Sequence, residues 1–252
     1  MHPVLSRVRK LVRRSGFDVT RYPPPYGSAD QSGAYVRRIW DLGVSVVLDV
    51  GANEGQFAQH LREGGWTGRT VSYEPLSTAF AALSKNAAKD PQWQVFNLAL
   101  GATKASAPIH IAGNSQSSSL LPMLETHRSA APESAYVGDE MVDIVPLDDA
   151  LEGVVSDSDR LCLKLDCQGY EGQVLEGATK TLERTVMVVM ELSLVDLYEG
   201  AMRFDEAVPR MREAGFVLAT IDPVFSDPET KEMLQVDGCF VAVPRESKGA
   251  AT

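Results

Sequence analysis

The sequence is poor in the residues that build crosslinks and metal centres. It has three cysteines (Cys162, Cys167 and Cys239) and four histidines in 252 residues. Three thiols cannot pair completely, and no CxxC or closely spaced Cys/His group occurs. A disulfide framework and a structural zinc site are therefore both disfavoured. Cations are also in deficit: 24 lysines and arginines against 34 aspartates and glutamates leave a net charge of −10. Binding a phosphate backbone needs clustered Lys and Arg, so nucleic acid is not an expected partner. Apolar runs of membrane-spanning length are missing, as is a signal-peptide core near the start. A reducing, cytoplasmic setting is the expectation that follows.

What is present fits one large α/β unit. Hydrophobic residues make up 44% and charged residues 23%, and no Pro/Ser/Gly-rich linker splits the chain into comparable halves. One basic stretch departs from the acidic whole. Leu5, Val8, Leu11 and Val12 fall at helical spacing among Arg7, Arg9, Lys10, Arg13 and Arg14. Such a helix packs on the domain or makes peripheral contact with an anionic membrane surface, and the lack of Trp or Phe in its stripe favours packing. Pro23-Pro-Pro25 ends it. The expected division is a basic helix and arm over 1–43, a main domain over 44–243 and a flexible tail over 244–252.

From residue 44 strands alternate with helices. Val44–Val50, Arg69–Tyr73, Trp93–Leu100, Leu161–Asp166, Thr185–Glu191, Gly215–Ile221 and Gly238–Val243 read as strands. Gln56–Glu63, Leu76–Lys89, Glu171–Glu183 and Phe204–Ala214 read as helices, with another over about 32–42 and a short one over Leu147–Leu151. Between them, 101–140 carries short strand-like pieces and the polar loop 113–119, and 113–135 is expected to be a poorly ordered substrate lid. Alternation of this kind implies right-handed βαβ crossovers and a mostly parallel, Rossmann-like sheet with helices on both faces. Ligands of such sheets sit at the carboxyl ends of the strands, where Asp49, Glu74, Asp166 and Glu191 stand.

Asp49-Val-Gly-Ala-Asn-Glu-Gly55 follows the first strand and opens a helix. Gly51 and Gly55 allow a tight turn with backbone N–H groups near a ligand. The spacing is not the GxGxxG of nicotinamide binding, and a carboxylate before the turn suits a cation better than a pyrophosphate. A sulfonium cofactor with an α-amino group fits that pattern. Glu74, 19 residues beyond Gly55 at the end of the second strand, stands where a carboxylate grips a ribose diol.

These segments occur with others in a fixed order: Tyr73-Glu-Pro75, Asn97-Leu-Ala-Leu-Gly101, Ser118-Ser-Leu120, Pro146-Leu-Asp-Asp149, Lys164-Leu-Asp-Cys-Gln-Gly-Tyr-Glu171, Leu175-Glu-Gly-Ala178 and Glu191. Together they resemble the FkbM family of S-adenosylmethionine-dependent methyltransferases over roughly residues 44 to 243. The resemblance implies a Rossmann-like class I methyltransferase fold and O-methylation of a sugar, glycolipid or polyketide-type natural product. It extends the cofactor site from Asp49, Gly51, Gly55 and Glu74 to Ala52, Asn53, Pro75, Asn97 and Ala99. The family often reads D-x-E-G-x-E where this chain has Gln168, and the missing carboxylate weakens any site for a divalent ion such as Mg²⁺. No metal ligand is therefore assigned.

Methylating a hydroxyl requires the acceptor to be oriented and its proton removed. Asp166 is the leading catalytic candidate, with Glu191 as a second acid and His110 as an alternative base; His127 is weighed beside it. Ser117, Ser118, Ser119, Gln168 and Glu171 are candidates for contact with the small-molecule or carbohydrate acceptor. Lys164 reads as a structural ion-pair partner of Asp166, and Trp66 and Trp93 as packing residues. The rival readings are a non-catalytic scaffold that keeps the fold and, less well supported, a nicotinamide-dependent oxidoreductase.

Overall fold

The computed structural model describes residues 31–243; the expected basic helix at 5–14 and the tail at 244–252 lie outside them. Its main sheet contains β1 (Val46–Val50), β2 (Arg69–Tyr73), β3 (Trp93–Phe96), β7 (Leu161–Leu165), β8 (Thr185–Ser193), β9 (Phe216–Ser226) and β10 (Met233–Ala242). Their order is β3-β2-β1-β7-β8-β10-β9. The pairs from β3 to β8 are parallel, and β10 runs antiparallel to both β8 and β9. This is the mostly parallel, class I methyltransferase-like sheet that the resemblance implies, closed by an antiparallel hairpin.

β1 shows how the sequence builds it. All five residues are buried, as expected for a strand covered on both faces. Alternation sends Val46, Leu48 and Val50 into one core, with α5 (Leu147–Ala150), α6 (Glu171–Glu176) and α8 (Phe204–Glu213) over them. Val47 points into the opposite core, which α1 (Gln31–Asp41) and α2 (Gln56–Glu63) cover. Asp49 shares that second face. α1 contributes Tyr35, Val36 and Ile39 to this core, so the packed unit starts before the expected boundary at 44. Fully burying a side chain such as Ile39 contributes about 1.5–3 kcal/mol.

Three expectations change. The single strand over Trp93–Leu100 is two: β3 stays in the main sheet, and β4 (Ala99–Leu100) joins β6 (Tyr136–Val145) and β5 (Ala105–Ala112) in a second sheet of order β4-β6-β5. The break is at Asn97, whose side-chain amide donates to the carbonyls of Glu74 and Pro75 at 2.9 and 2.8 Å. The helix over Glu171–Glu183 is α6 and then α7 (Thr179–Arg184). It is interrupted at Gly177, where a Cβ would collide with the Gly101 carbonyl.

Residues 101–140 are not structureless. Besides β5 and β6 they form α4 (Glu125–Ala130) and a 3₁₀ turn at Pro132–Ser134. The polar loop is cross-tied: Ser119 and His110 exchange backbone hydrogen bonds at 2.8 and 3.1 Å, and Asn114 binds both the amide and the hydroxyl of Ser117. Ser117 and Ser118 spend their hydroxyls within the loop and on the Ala112 amide, Ser115 takes the Asn53 side-chain amide and Ser119 reaches the Gln168 carbonyl. Among the described residues no helix is long and apolar enough to cross a membrane. α3 (Ser77–Ala87) packs Ala79 against the second sheet, with Ile109, Val142 and Ile144.

Candidate functional site

A cavity of about 300 Å³ opens at the carboxyl ends of β1, β2, β7 and β8. Its wall includes Asp49, Gly51, Ala52, Asn53, Glu74, Pro75 and Ala99, together with Ser118, Asp166, Gln168 and Glu191. Seven of the nine expected cofactor residues are thus brought together with both leading acids.

The glycine turn is shaped by protein contacts. Gly51 has φ +79°, and a Cβ there would collide with the carbonyl of Asp166. The glycine is therefore needed for the close approach of the β1 and β7 ends, a reason the sequence does not disclose. Gly55 (φ +93°) sits against Trp93 and Leu83 rather than in the cavity wall. Asn53 takes a left-handed φ of 48°, a conformation Asn tolerates better than most residues. Its amide donates to Glu74 Oε2 at 2.8 Å, and the Leu76 amide donates to Glu74 Oε1 at 2.9 Å. Glu74 thereby ties the β1 turn to the end of β2, and each oxygen retains acceptor capacity. Burial pushes its carboxyl up to about 7, against the pull of those two amides.

Asp49 is a buried residue of the cavity wall. Its Oδ2 accepts from the Ser72 hydroxyl at 3.2 Å, and that hydroxyl also accepts from the Trp93 indole at 2.9 Å. Its Oδ1 is buried and has no partner among the described residues. Burial pushes the carboxyl up to about 6, despite Lys164 and Ser72. A buried carboxylate oxygen without a donor costs free energy that a donor-bearing cation in the cavity would offset.

On the other side, Lys164 Nζ pairs with Asp166 Oδ2 at 2.5 Å and lies 5.5 Å from the centre of the Phe57 ring. Burial alone would lower the lysine pKa, but Asp166, Asp49 and Asp237 hold it above its usual value, so it remains charged. Asp166 Oδ1 accepts from the Gln168 amide at 3.0 Å, and the same nitrogen donates to Glu191 Oε2 at 2.8 Å. Burial, then Asp166, raises the Glu191 pKa well above the usual carboxylate value.

The remaining expected site residues lie outside the cavity wall. Alternation on β5 turns Ile109 toward the cavity and His110 away, where it pairs with Asp139 at 2.5 Å and stacks on Tyr136. His127 is buried against Tyr198, and burial pulls its pKa down to about 4. Ser117 binds Asn114, and the Ser119 hydroxyl donates to the Gln168 carbonyl at 2.7 Å. Glu171 accepts from the amides of Cys167 and Gly169, closing the turn before α6; burial raises its carboxyl to about 7. Asn97 stands behind Glu74, as described. Sequence reading missed Tyr198 and Gln235, which bind Gln168 and Glu191, and Val224 of the closing hairpin. No local motif marks them; only the strand order brings them in. Among the described residues no group of three or more His, Cys, Asp or Glu side chains is arranged to hold a metal ion.

The family model of the methyltransferase FkbM domain matches residues 49–218. No curated protein matches the chain. Among solved structures, methyltransferase FkbM from Methylobacillus flagellatus is 13% identical, with 77% of this chain and 43% of that one covered and a TM-score of 0.45. This chain thus spans less than half the length of that protein. Magnesium protoporphyrin IX methyltransferase from Synechocystis, solved with bound S-adenosylmethionine, is 10% identical over 96% and 99% of the two chains, TM-score 0.47. For a putative S-adenosylmethionine-dependent methyltransferase from Listeria monocytogenes the values are 8%, 86% and 100%, and 0.48.

Proposed function

The chain belongs to the FkbM family of S-adenosylmethionine-dependent methyltransferases, and from that premise we propose that it methylates a hydroxyl oxygen of a sugar, glycolipid or polyketide-type natural product. The observation that carries the reading is that Asp49, whose buried Oδ1 has no partner among the described residues, lines one cavity together with Glu74. The residues fit the cofactor: Asp49 would take its ammonium group, Glu74 its ribose hydroxyls, and the Gly51–Asn53 turn would border it. The cofactor supplies an electrophilic methyl carbon on a sulfonium sulfur.

The rest falls to the chain's own groups. Asp166 and Glu191 line the same cavity and can accept hydrogen bonds from the hydroxyls of an acceptor. Lys164 is already engaged by Asp166, so this wall presents acceptors rather than a cation for phosphate or carboxylate. That supports a neutral polyhydroxylated acceptor. Holding its oxygen in line is the larger part of the task, since orientation contributes as much as about 7–11 kcal/mol in intramolecular reactions.

Calorimetry with S-adenosylhomocysteine and NAD tests the cofactor reading. The first should bind, and Glu74→Ala should weaken it tenfold or more, because two hydrogen bonds to a charged acceptor are lost at about 1.5–3 kcal/mol each. A melting curve controls for the amides that Glu74 also holds. Unchanged affinity in a folded Glu74→Ala protein, or tighter binding of NAD, overturns the assignment. Mass spectrometry of extracts that gain one CH₂ only with active protein identifies the acceptor.

A further inference from the structure

Resting on the methyl-transfer reading, we propose that Gln168 and Gln235 are positioning residues that clamp Glu191 by one carboxylate oxygen and present the other to the acceptor hydroxyl. Glu191 Oε2 accepts from Gln168 Nε2 at 2.8 Å and from Gln235 Nε2 at 3.0 Å. Oε1 accepts from no protein group among the described residues. It is also not among the buried atoms left without a partner, so it is the oxygen that the cavity reaches.

The clamp is itself fixed. Gln168 spends one amide proton on Asp166 and the other on Glu191, while the Tyr198 hydroxyl lies 2.7 Å from its Oε1. Flipping this amide would aim its oxygen at two carboxyl groups and its nitrogen at the Tyr198 hydroxyl, so with both acids ionised electrostatics favours the orientation seen. The backbone of Gln168 is left-handed, φ 51°, and its carbonyl is held by the buried Ser119 hydroxyl. Gln235 reaches Glu191 from β10, across the antiparallel joint of the sheet.

The two acids next to this amide are not equivalent. Asp166 is engaged at both oxygens, by Lys164 and by Gln168. Glu191 keeps one oxygen without a partner among the described residues. The charged and titratable groups around Glu191 are Asp166 and Lys164 on the β7 side, Glu171 at α6, Asp237 on β10 and Tyr198 after β8. Three of them are carboxylates, and together with burial they favour a basic Glu191. In the reaction the acceptor proton goes to Glu191 Oε1, and the hydroxyl electron pair forms the new O–CH₃ bond. The pair of the broken S–CH₃ bond stays on sulfur. The products are the ether, the thioether and a neutral Glu191.

The test is an NMR titration of the cofactor-free protein with ¹³C-carboxyl-labelled glutamate, the Glu191 signal being assigned by its loss in Glu191→Gln. In the wild type the side-chain amide signals of Gln168 and Gln235 should titrate with the Glu191 midpoint. In Gln235→Met the charged form loses a donor, so the midpoint should rise by about one pH unit or more. Gln168→Met should act in the same direction. With an acceptor in hand, the acid limb of kcat should move to higher pH in step, with the KM for S-adenosylmethionine little changed. Wild-type amides that ignore the Glu191 midpoint overturn the proposal, and so does an unmoved midpoint in either folded variant. Failure of the methyltransferase reading would show separately, as absent S-adenosylhomocysteine binding with the titration intact.

Discussion

At Asp49 a buried charge meets an open bond. The side chain is inaccessible to solvent, among the described residues only Oδ2 is hydrogen-bonded, and burial pushes the carboxyl up to about 6. A residue kept only for stability would not leave Oδ1 unpartnered, because a buried unpaired acceptor costs about 1–3 kcal/mol. Asp49→Asn keeps the shape and removes the charge. Affinity for S-adenosylmethionine should fall about tenfold or more, while the cofactor-free protein melts no lower at pH 8 than the wild type. Calorimetry and a melting curve read the two effects. Loss of melting temperature with affinity intact would make Asp49 a structural residue.

Among the elements, the joints between short helices and strand ends hold the site in register. Asp148 illustrates this: its carboxylate accepts from the amides of Lys180 and Thr181 and from the Thr181 hydroxyl, at 2.9, 2.8 and 2.7 Å. It caps α7 from another segment, 31 positions before the helix begins. Asp148→Ala should cost about 0.5–2 kcal/mol, the range for a lost helix cap. Urea unfolding measures it, and S-adenosylhomocysteine affinity should stay unchanged because Asp148 is not in the cavity wall. Comparable loss of affinity would show that α7 and the site move as one.

Over the whole molecule, a cluster of raised carboxyls sets a pH dependence. Burial is the first cause for each: Asp49 and Asp237 stand at about 6, Glu74 and Glu171 at about 7. A folded pKa above the unfolded one means that the native state binds more protons, so stability is full below the unfolded value and is lost as pH rises through the folded one. His127, pulled down to about 4 by burial, opposes these carboxyls with a contribution lost as pH falls from about 6.5 to about 4, but it is one group against four; Asp90 and Asp159 also run the other way. Slight burial would raise them, but hydrogen bonds from Arg62 and Ser156 bring them below the ordinary value, and their contribution is lost only in stronger acid. The melting temperature of the cofactor-free protein should therefore fall as pH rises from about 4.5 to about 7.5. Calorimetric scans across that interval check it; a flat or rising profile contradicts the buried-cluster account.

The sequence by itself determined the alternating sheet, the strand ends that carry Asp49, Glu74, Asp166 and Glu191, and the extents of α2 and β2. Each rests on periodicity or on a turn residue a few positions away, and local sterics and burial suffice to enforce them. Tertiary structure alone decided that Trp93–Leu100 divides between two sheets, because the competing partners of Ala99 lie at Ile144–Val145. It decided that Gly51 answers to Asp166, and that the serine loop ties to itself and to Asn53 and Gln168. It also placed Gln235 on Glu191, 44 positions away. These contacts join segments whose separation along the chain carries no periodic signal, and they form only once the sheet order has brought β10 beside β8.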